Sequence, residues 1–529
     1  MRRFLVRVEA VNLASSIVDT DDLSVIRGGG FANLLVPERL LGALDMGALA
    51  LVFAGASQAE AILNVAENVD ERQVEARLIS LASGQEDVAN MEPQLVAILP
   101  HLTLLCAVVP YESGYLAASR YAIGKIRERQ LMNLTIDKGE PPAQSFRRPC
   151  MVDGTRPGSM SLSKGGKKLI VSSSVYSRQI LGRELRQEIY RQIGVRTDRN
   201  LEYADSFADL VNDPPPGLSP SLKGKMAVVY FDGNKFTAIR ERAIRNDQHG
   251  GGDAVRAFSE AVTKARALFL DRILDNLEND SRMYCDGRRL RFEILMWGGD
   301  EARFVLPAWK LAEILPILAD DMEGEHWAFR GETMTSAIGV LVCHHKMPIT
   351  RAVAMADDIV DEIKAYQRAK EGKPENMLSI QLIESIEPHV GGIRGFRQKL
   401  YQTSDASAFV VEGASGLRSI IDSYRRITDP STGLPRSQLY NLISEARSQG
   451  LPGQLAGEAS NLEELLQTAV DRSRGENGED VVMALKAALL DPAFGVSAGA
   501  PFVGLVRIAE TWDLMRPFMV SSELETEIG

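Results

Sequence analysis

Residues 293–307, EILMWGGDEARFVLP, restrict this chain more than any other stretch. A hydrophobic run, two glycines, two acids and a second hydrophobic run spell an antiparallel hairpin with polar residues at its tip. Glycine adopts the backbone angles that a tight turn needs, so Gly298 and Gly299 mark the turn, and Asp300 and Glu301 project beside it. An isolated hairpin is barely stable in water, so further strands are required. The flanking sequence supplies them. MAVVYFDGNKF reads as a strand running through a turn into a helix, and TMTSAIGVLVC and MLSIQLIES read as later strands. The helical segments AWKLAEILPILADDM and ITRAVAMADDIVDEIKAYQRAK alternate with them. The order βα–ββ–αβ predicts an α+β unit over 226–390: a ferredoxin-like antiparallel sheet with helices packed on one face.

A second unit of similar order is expected over 1–135. FLVRVEAVNL, ALALVFAGA and LTLLCAVVPY read as strands, and RGGGF as a glycine-rich turn. The apolar spacing in AEAILNVAENVDERQVEARLISLA predicts one long helix, and YLAASRYAIGKIRERQL another. Residues 136–225 read as a basic linker or insert, and 391–529 as a helical domain. The net charge of −11 excludes a surface that wraps nucleic acid everywhere. Residues 101–200 nevertheless hold 17 Lys+Arg against 8 Asp+Glu, a face able to meet RNA phosphates. Four separated cysteines encode no disulfide framework. With no leader and no apolar run near 18 residues, the expected location is cytoplasmic, away from membranes.

Asp232 closes the first strand of the 226–390 unit, and Asp300 sits at the turn between the second and third. In a ferredoxin-like sheet those strands are neighbours, so the two acids are expected to meet at one edge. Paired carboxylates suit Mg²⁺ or Mn²⁺, leaving positions for water and substrate phosphates, and such ions serve phosphoryl and nucleotidyl transfer. Gly233, Asn234 and Lys235 lead into a helix whose free N–H groups suit a triphosphate. Gly298 and Gly299 leave no side chain between backbone and nucleotide.

YFDGNKF, WGGDEARFVLP and IGVLVCHHKMPITRAVAMADDIVDEIKAYQ, in that order and spacing, resemble the polymerase palm of the large subunit of type III CRISPR effector complexes, a relative of GGDEF cyclases. VEAVNLASSIVDTDDLSVIRGGGFANLL and LVFAGASQAEAILNV resemble that family's first palm, and LPRSQLYNLI its C-terminal helical domain. The resemblance implies catalysis by Asp232, Asp300 and Glu301, with the metal on Asp232 and Asp300. It implies nucleotide contacts at Gly233, Asn234, Lys235 and Lys364, and synthesis of cyclic oligoadenylates from ATP. It also implies guide or target RNA and other effector subunits as partners. Glu301 replaces the family's usual Asp. The first palm offers Glu9 and Asn12 where a metal-binding Asp is sought, and AGAS instead of an acidic turn, so it is expected not to catalyse. Cys150 alone remains of the zinc-binding insert, so no zinc is expected there. No His-Asp nuclease motif precedes the first palm, so DNA cleavage is not expected. The alternatives are a nucleotide-binding scaffold without turnover and a GGDEF-type cyclic dinucleotide synthase.

Overall fold

A computed structural model describes residues 1–55, 57–84, 91–112, 114–132, 148–164, 166–193, 196, 201–247, 251–370, 372–384, 391–428, 436–448, 485 and 501–518. The first unit comprises β1 (Arg2–Val11), α1 (Leu23–Gly42), β2 (Ala48–Gly55), β3 (Gln58–Val65), α2 (Glu71–Ala82), β4 (Thr103–Pro110) and α3 (Tyr115–Met132). A short hairpin, β5 (Met160–Lys164) and β6 (Lys167–Val171), precedes α4 (Ser173–Glu184). The second unit holds β7 (Lys225–Gly233), α5 (Phe236–Arg245), α6 (Gly252–Glu278), β8 (Glu293–Gly298), β9 (Glu301–Pro307), α7 (Leu311–Met322), β10 (Ser336–His344), α8 (Ile349–Ala369) and β11 (Met377–Leu382). After it come α9 (Gly392–Tyr401), β12 (Val411–Glu412), α10 (Gly413–Thr428), α11 (Arg436–Ser448) and α12 (Pro501–Met515). No helix among the described residues is long and apolar enough to cross a membrane.

The fold is α+β with two ferredoxin-like sheets. The first runs β2-β3-β1-β4, and the second β8-β9-β7-β10-β11-β12. Pairing is antiparallel in both, except that β10 and β11 are parallel. That parallel step corrects the expectation of helices on one face only. Connecting parallel neighbours requires a crossover helix, and α8 fills it on the face opposite α6. Phe231 and Phe304 meet Phe269 of α6 on one face, while a Cβ at Gly339 would touch Val360 of α8 on the other. The first sheet is covered in the same way. Val6, Val8 and Leu63 join the cluster holding Leu35 and Leu78, while Leu5 and Val109 join that of Tyr115 and Ile126.

Two local readings of the first unit are overturned. Gly28, Gly29 and Gly30 lie inside α1 rather than in a turn. A Cβ on Gly28 or Gly29 would overlap the carbonyl oxygen of Arg178 or Ser16, and one on Gly30 would come 2.7 Å from that of Leu295. The glycines therefore permit close backbone approach within a buried helix. The long helix expected from Ala59 onward starts only at Glu71, where Asp70 and Gln73 form a reciprocal capping box. Its front half is β3, paired residue by residue with β1; sheet pairing overrides the apolar spacing.

Arg27 of α1 fastens the first unit to the second. Its guanidinium bonds the Glu293 carboxylate (Nε to Oε2, 2.8 Å) and the carbonyls of Gly182 and Ala204, with both charged side chains fully buried. Two basic residues of the 136–225 region act structurally: Arg178 bonds Asp19 at 2.5 Å and Arg156 bonds Asp153 at 3.3 Å, whereas Arg148, Lys167 and Lys168 are exposed. The expected linker NDPPPGLSPS is also tied down, with Leu218 and Leu222 buried and Ser219 N–H donating to Pro517 O. In the C-terminal region α10, α11 and α12 share one apolar cluster with the second sheet. Of the helical domain expected over 391–529, the segments 462–472 (LEELLQTAVDR) and, Leu485 apart, 481–490 (VVMALKAALL) lie outside the described residues, as does most of 141–150 (PPAQSFRRPC) in the expected linker or insert.

Candidate functional site

The register of β7 and β9 determines where the acids meet. Asp232 is directly opposite Glu301. Beyond that pair the turn bends back over the end of β7, and Gly233 N–H donates to Asp300 O at 2.9 Å. A Cβ at Gly233 would lie 2.9 Å from that of Asp300, so glycine is needed for this approach. The turn carries its positive φ on Gly299 (53°) and not on Asp300, the pattern of a two-residue hairpin turn with glycine first. Two aspartates 68 positions apart in sequence thus share one sheet edge, with Glu301 between strand and tip.

Their electrostatics differ. Asp232 binds Lys364 of α8 (Oδ2 to Nζ, 2.5 Å) and accepts from Tyr230 Oη at 3.3 Å. Among the described residues, Asp300 and Glu301 make no side-chain hydrogen bond or ion pair. Burial raises Asp232 above the usual carboxylate range, and the charge on Asp300 adds to the rise against the lowering by Lys364. Burial and then Asp232 raise Glu301 likewise. Behind these acids Arg303 pairs with Asp357 of α8 at 2.7 Å, and its guanidinium lies 4.2 Å from the Tyr230 ring centre. Burial pushes Asp357 up to about 6.

A solvent-open cleft with an empty volume of about 680 Å³ adjoins the turn. Gly299 and Asp300, α5, α6 and the β2–β3 hairpin of the first unit surround it. The hairpin tips touch: a Cβ on Gly55 would come 3.1 Å from Gly299 N. Arg240 lines the cleft without a hydrogen bond or ion pair among the described residues, its guanidinium 5.8 Å from the Phe53 ring centre.

The remaining expected site residues take different positions. Lys235 is exposed in a left-handed conformation (φ 55°) as the N-cap of α5, beside the cleft residues Phe236 and Thr237. Asn234 is buried; its side-chain amide donates to Thr335 Oγ1 and Glu375 O, bracing the loop from within. Gly298 is buried at the hairpin neck. Lys364 is near the acids but engaged by Asp232. No group of three or more His, Cys, Asp or Glu that could hold a metal ion occurs among the described residues. Hard carboxylate oxygens on Asp232 and Asp300 nevertheless fit a divalent cation that takes its other ligands from water and phosphate.

Sequence reasoning missed Arg266. It lies on the buried face of α6, with Val262, Phe269 and Leu270, and donates to the carbonyls of Gly299 and Glu301. The signal was an arginine at helical spacing among apolar positions in AVTKARALFL.

No protein-family model matches the sequence, and no curated protein matches it. Solved structures do. A crystal structure of the Csm1-Csm4 cassette in complex with cA4 gives a TM-score of 0.51 at 11% identity, over 96% of this chain and 70% of that one. The cassette in complex with pppApA gives 0.49 at 12% identity, over 91% and 69%. A type III-B Cmr-beta structure in the apo state gives 0.48 at 10% identity, over 89% and 77%. Against the cassette in complex with one ATP, this chain spans 53% of that chain's length. The chain resembles the large subunit of type III CRISPR effectors. At these identities the likeness is one of fold.

Proposed function

We propose that this protein is a metal-dependent nucleotidyltransferase that joins ATP into cyclic oligoadenylates in CRISPR-type antiviral defence. The observation carrying this reading is the convergence of Asp232, Asp300 and Glu301 at one sheet edge, two of them without a partner. Unpartnered, half-buried carboxylates at a cleft are an unfavourable arrangement for folding alone and a favourable one for a divalent cation. Bound to Asp232 and Asp300, Mg²⁺ or Mn²⁺ would neutralise phosphate charge and lower the barrier to attack by a hydroxyl. The chain's own part is to fix those acids on a rigid hairpin and to offer Lys235, Lys364 and the cleft-facing Arg240 to the phosphates. The Csm1-Csm4 neighbour of similar fold was solved in complex with cA4, which agrees with the proposed product class. Guide or target RNA and other effector subunits are the proposed partners.

The test is incubation with ATP and GTP in competition, with Mn²⁺ or Mg²⁺ and candidate RNAs, followed by mass spectrometry. Cyclic adenylates and pyrophosphate are expected from the wild type and neither from Asp300→Ala. Identical products from that variant would overturn the site. One observation favours a second reading, a nucleotide-binding scaffold: the Lys364 ammonium already holds Asp232 at 2.5 Å. Thermal stabilisation by ATP without product would identify it. A GGDEF-type dinucleotide synthase is disfavoured by two unequal palms in one chain.

A further inference from the structure

Arg266 is 2% exposed, yet among the described residues it donates to backbone carbonyls and to no carboxylate. Its two terminal nitrogens donate to the carbonyls of Gly299 and Glu301, the residues on either side of Asp300. The guanidinium lies 4.7 Å from the Trp297 ring centre. Burying a guanidinium is unfavourable unless charge offsets it. Here burial still wins, lowering the guanidinium pKa to about 10; the field of Asp300, Glu301 and Asp232, none of which bonds it directly, offsets the cost only in part. We propose that Arg266 is a positioning residue: its planar fork clamps the backbone around Asp300 and so holds that carboxylate against Asp232 in register for the metal and nucleotide.

The fork is what the geometry requires. Two carbonyls separated by one residue are bridged by parallel N–H donors of one rigid plane, whereas a lysine ammonium is a single point on a flexible stem. The cation–π contact with Trp297, the residue before the two turn glycines, adds a second hold on the guanidinium. Without the clamp the turn retains its two glycines, the Gly298–Glu301 and Glu301–Asp232 ladder positions and the Gly233 N–H to Asp300 O bond, none of which grips the carbonyls of Gly299 and Glu301 as one unit. The inference deepens the nucleotidyltransferase reading and rests on it for its catalytic consequence, but the clamp itself is open to measurement without turnover.

Arg266→Lys and Arg266→Gln separate clamp from charge. If Arg266 clamps, both variants lose at least tenfold in kcat with the KM for ATP within about twofold, and lysine does not rescue. Hydrogen exchange of the amides at 299–301 accelerates at least tenfold in both, while that of 227–231 in β7 stays at the wild-type rate. A lysine variant with wild-type kcat and wild-type turn exchange would overturn the proposal. So would exchange rising equally across the whole sheet, which marks a merely structural arginine. Should the wild-type protein form no product, the function reading fails; the exchange measurement and Mn²⁺ titration of the full chain still decide the clamp. Weaker Mn²⁺ binding in both variants supports it, and unchanged binding with unchanged exchange refutes it.

Discussion

The two hairpins share strand register and differ at their tips: a positive φ falls on Ser57 in the first and on Gly299 in the second, and only the second tip carries an acid. Gly55 pairs with Gln58 as Gly298 pairs with Glu301, and both hairpins carry a register shift four positions before the turn begins, at Leu51/Phe53 and at Ile294/Met296. Glu9 faces Gln58 as Asp232 faces Glu301. Ala10 N–H donates to Ser57 O as Gly233 N–H does to Asp300 O. A cation from the helix beyond the fourth strand reaches each central acid: Arg127 to Glu9 at 2.8 Å, and Lys364 to Asp232. In the first sheet the acids are fully engaged, with Arg7 between Glu9 and Glu60, and Tyr115 and Ser119 also on Glu60. In the second, Asp300 and Glu301 are left open. Strand register was kept while partners were changed, and that change separates a structural edge from a candidate catalytic one.

The largest expected asymmetry is in chemistry. Asp232→Asn should lower pyrophosphate release by at least about 10³-fold, about 4 kcal/mol of barrier, whereas Glu9→Gln should leave it within about twofold. Equal losses would erase the distinction. In stability the order reverses. Glu60→Ala removes the buried acceptor shared by Arg7, Tyr115 and Ser119 and should destabilise by about 3 kcal/mol in urea denaturation. Glu301→Gln removes a half-buried charge with no partner among the described residues and should stabilise the metal-free protein by up to about 1 kcal/mol; a destabilised variant would show that Glu301 is held by a contact.

The smallest contrast is in pH. Asp232, Glu301 and Asp357 are raised by burial, Asp357 to about 6, so the folded second sheet holds protons more tightly than the unfolded chain. The stability they confer is full in acid and is lost as pH rises through about 6. In the first sheet burial alone would raise Glu75, but the Arg129 ion pair outweighs it and holds the carboxyl low. Its stabilisation is present at neutral pH and is lost on acidification. Hydrogen exchange corrected for intrinsic rates should show β7 loosening relative to β1 between pH 5 and 7.5, by less than about 1 kcal/mol because solvent screens these groups. A divalent cation should abolish the trend.

The second hairpin, its strand neighbours and the crossover helix were legible because alternation, glycine pairs and helical spacing are local signals. The β3 segment was not: AEAILNV carries an apolar spacing that fits a helix as well as a strand, and only pairing with β1 chose. Nor was the glycine triplet, since two of the carbonyls that crowd it, Arg178 at Gly28 and Leu295 at Gly30, lie 150 and 265 positions away.

By itself the sequence determined that acids stand at a hairpin tip and at a strand end, because turn chemistry and strand period are written in adjacent residues. Tertiary structure alone decided which acids have partners, which helix covers which face and what holds the turn. Those outcomes depend on charges that meet only after folding, such as Arg127 on Glu9 and Arg266 at the carbonyls beside Asp300.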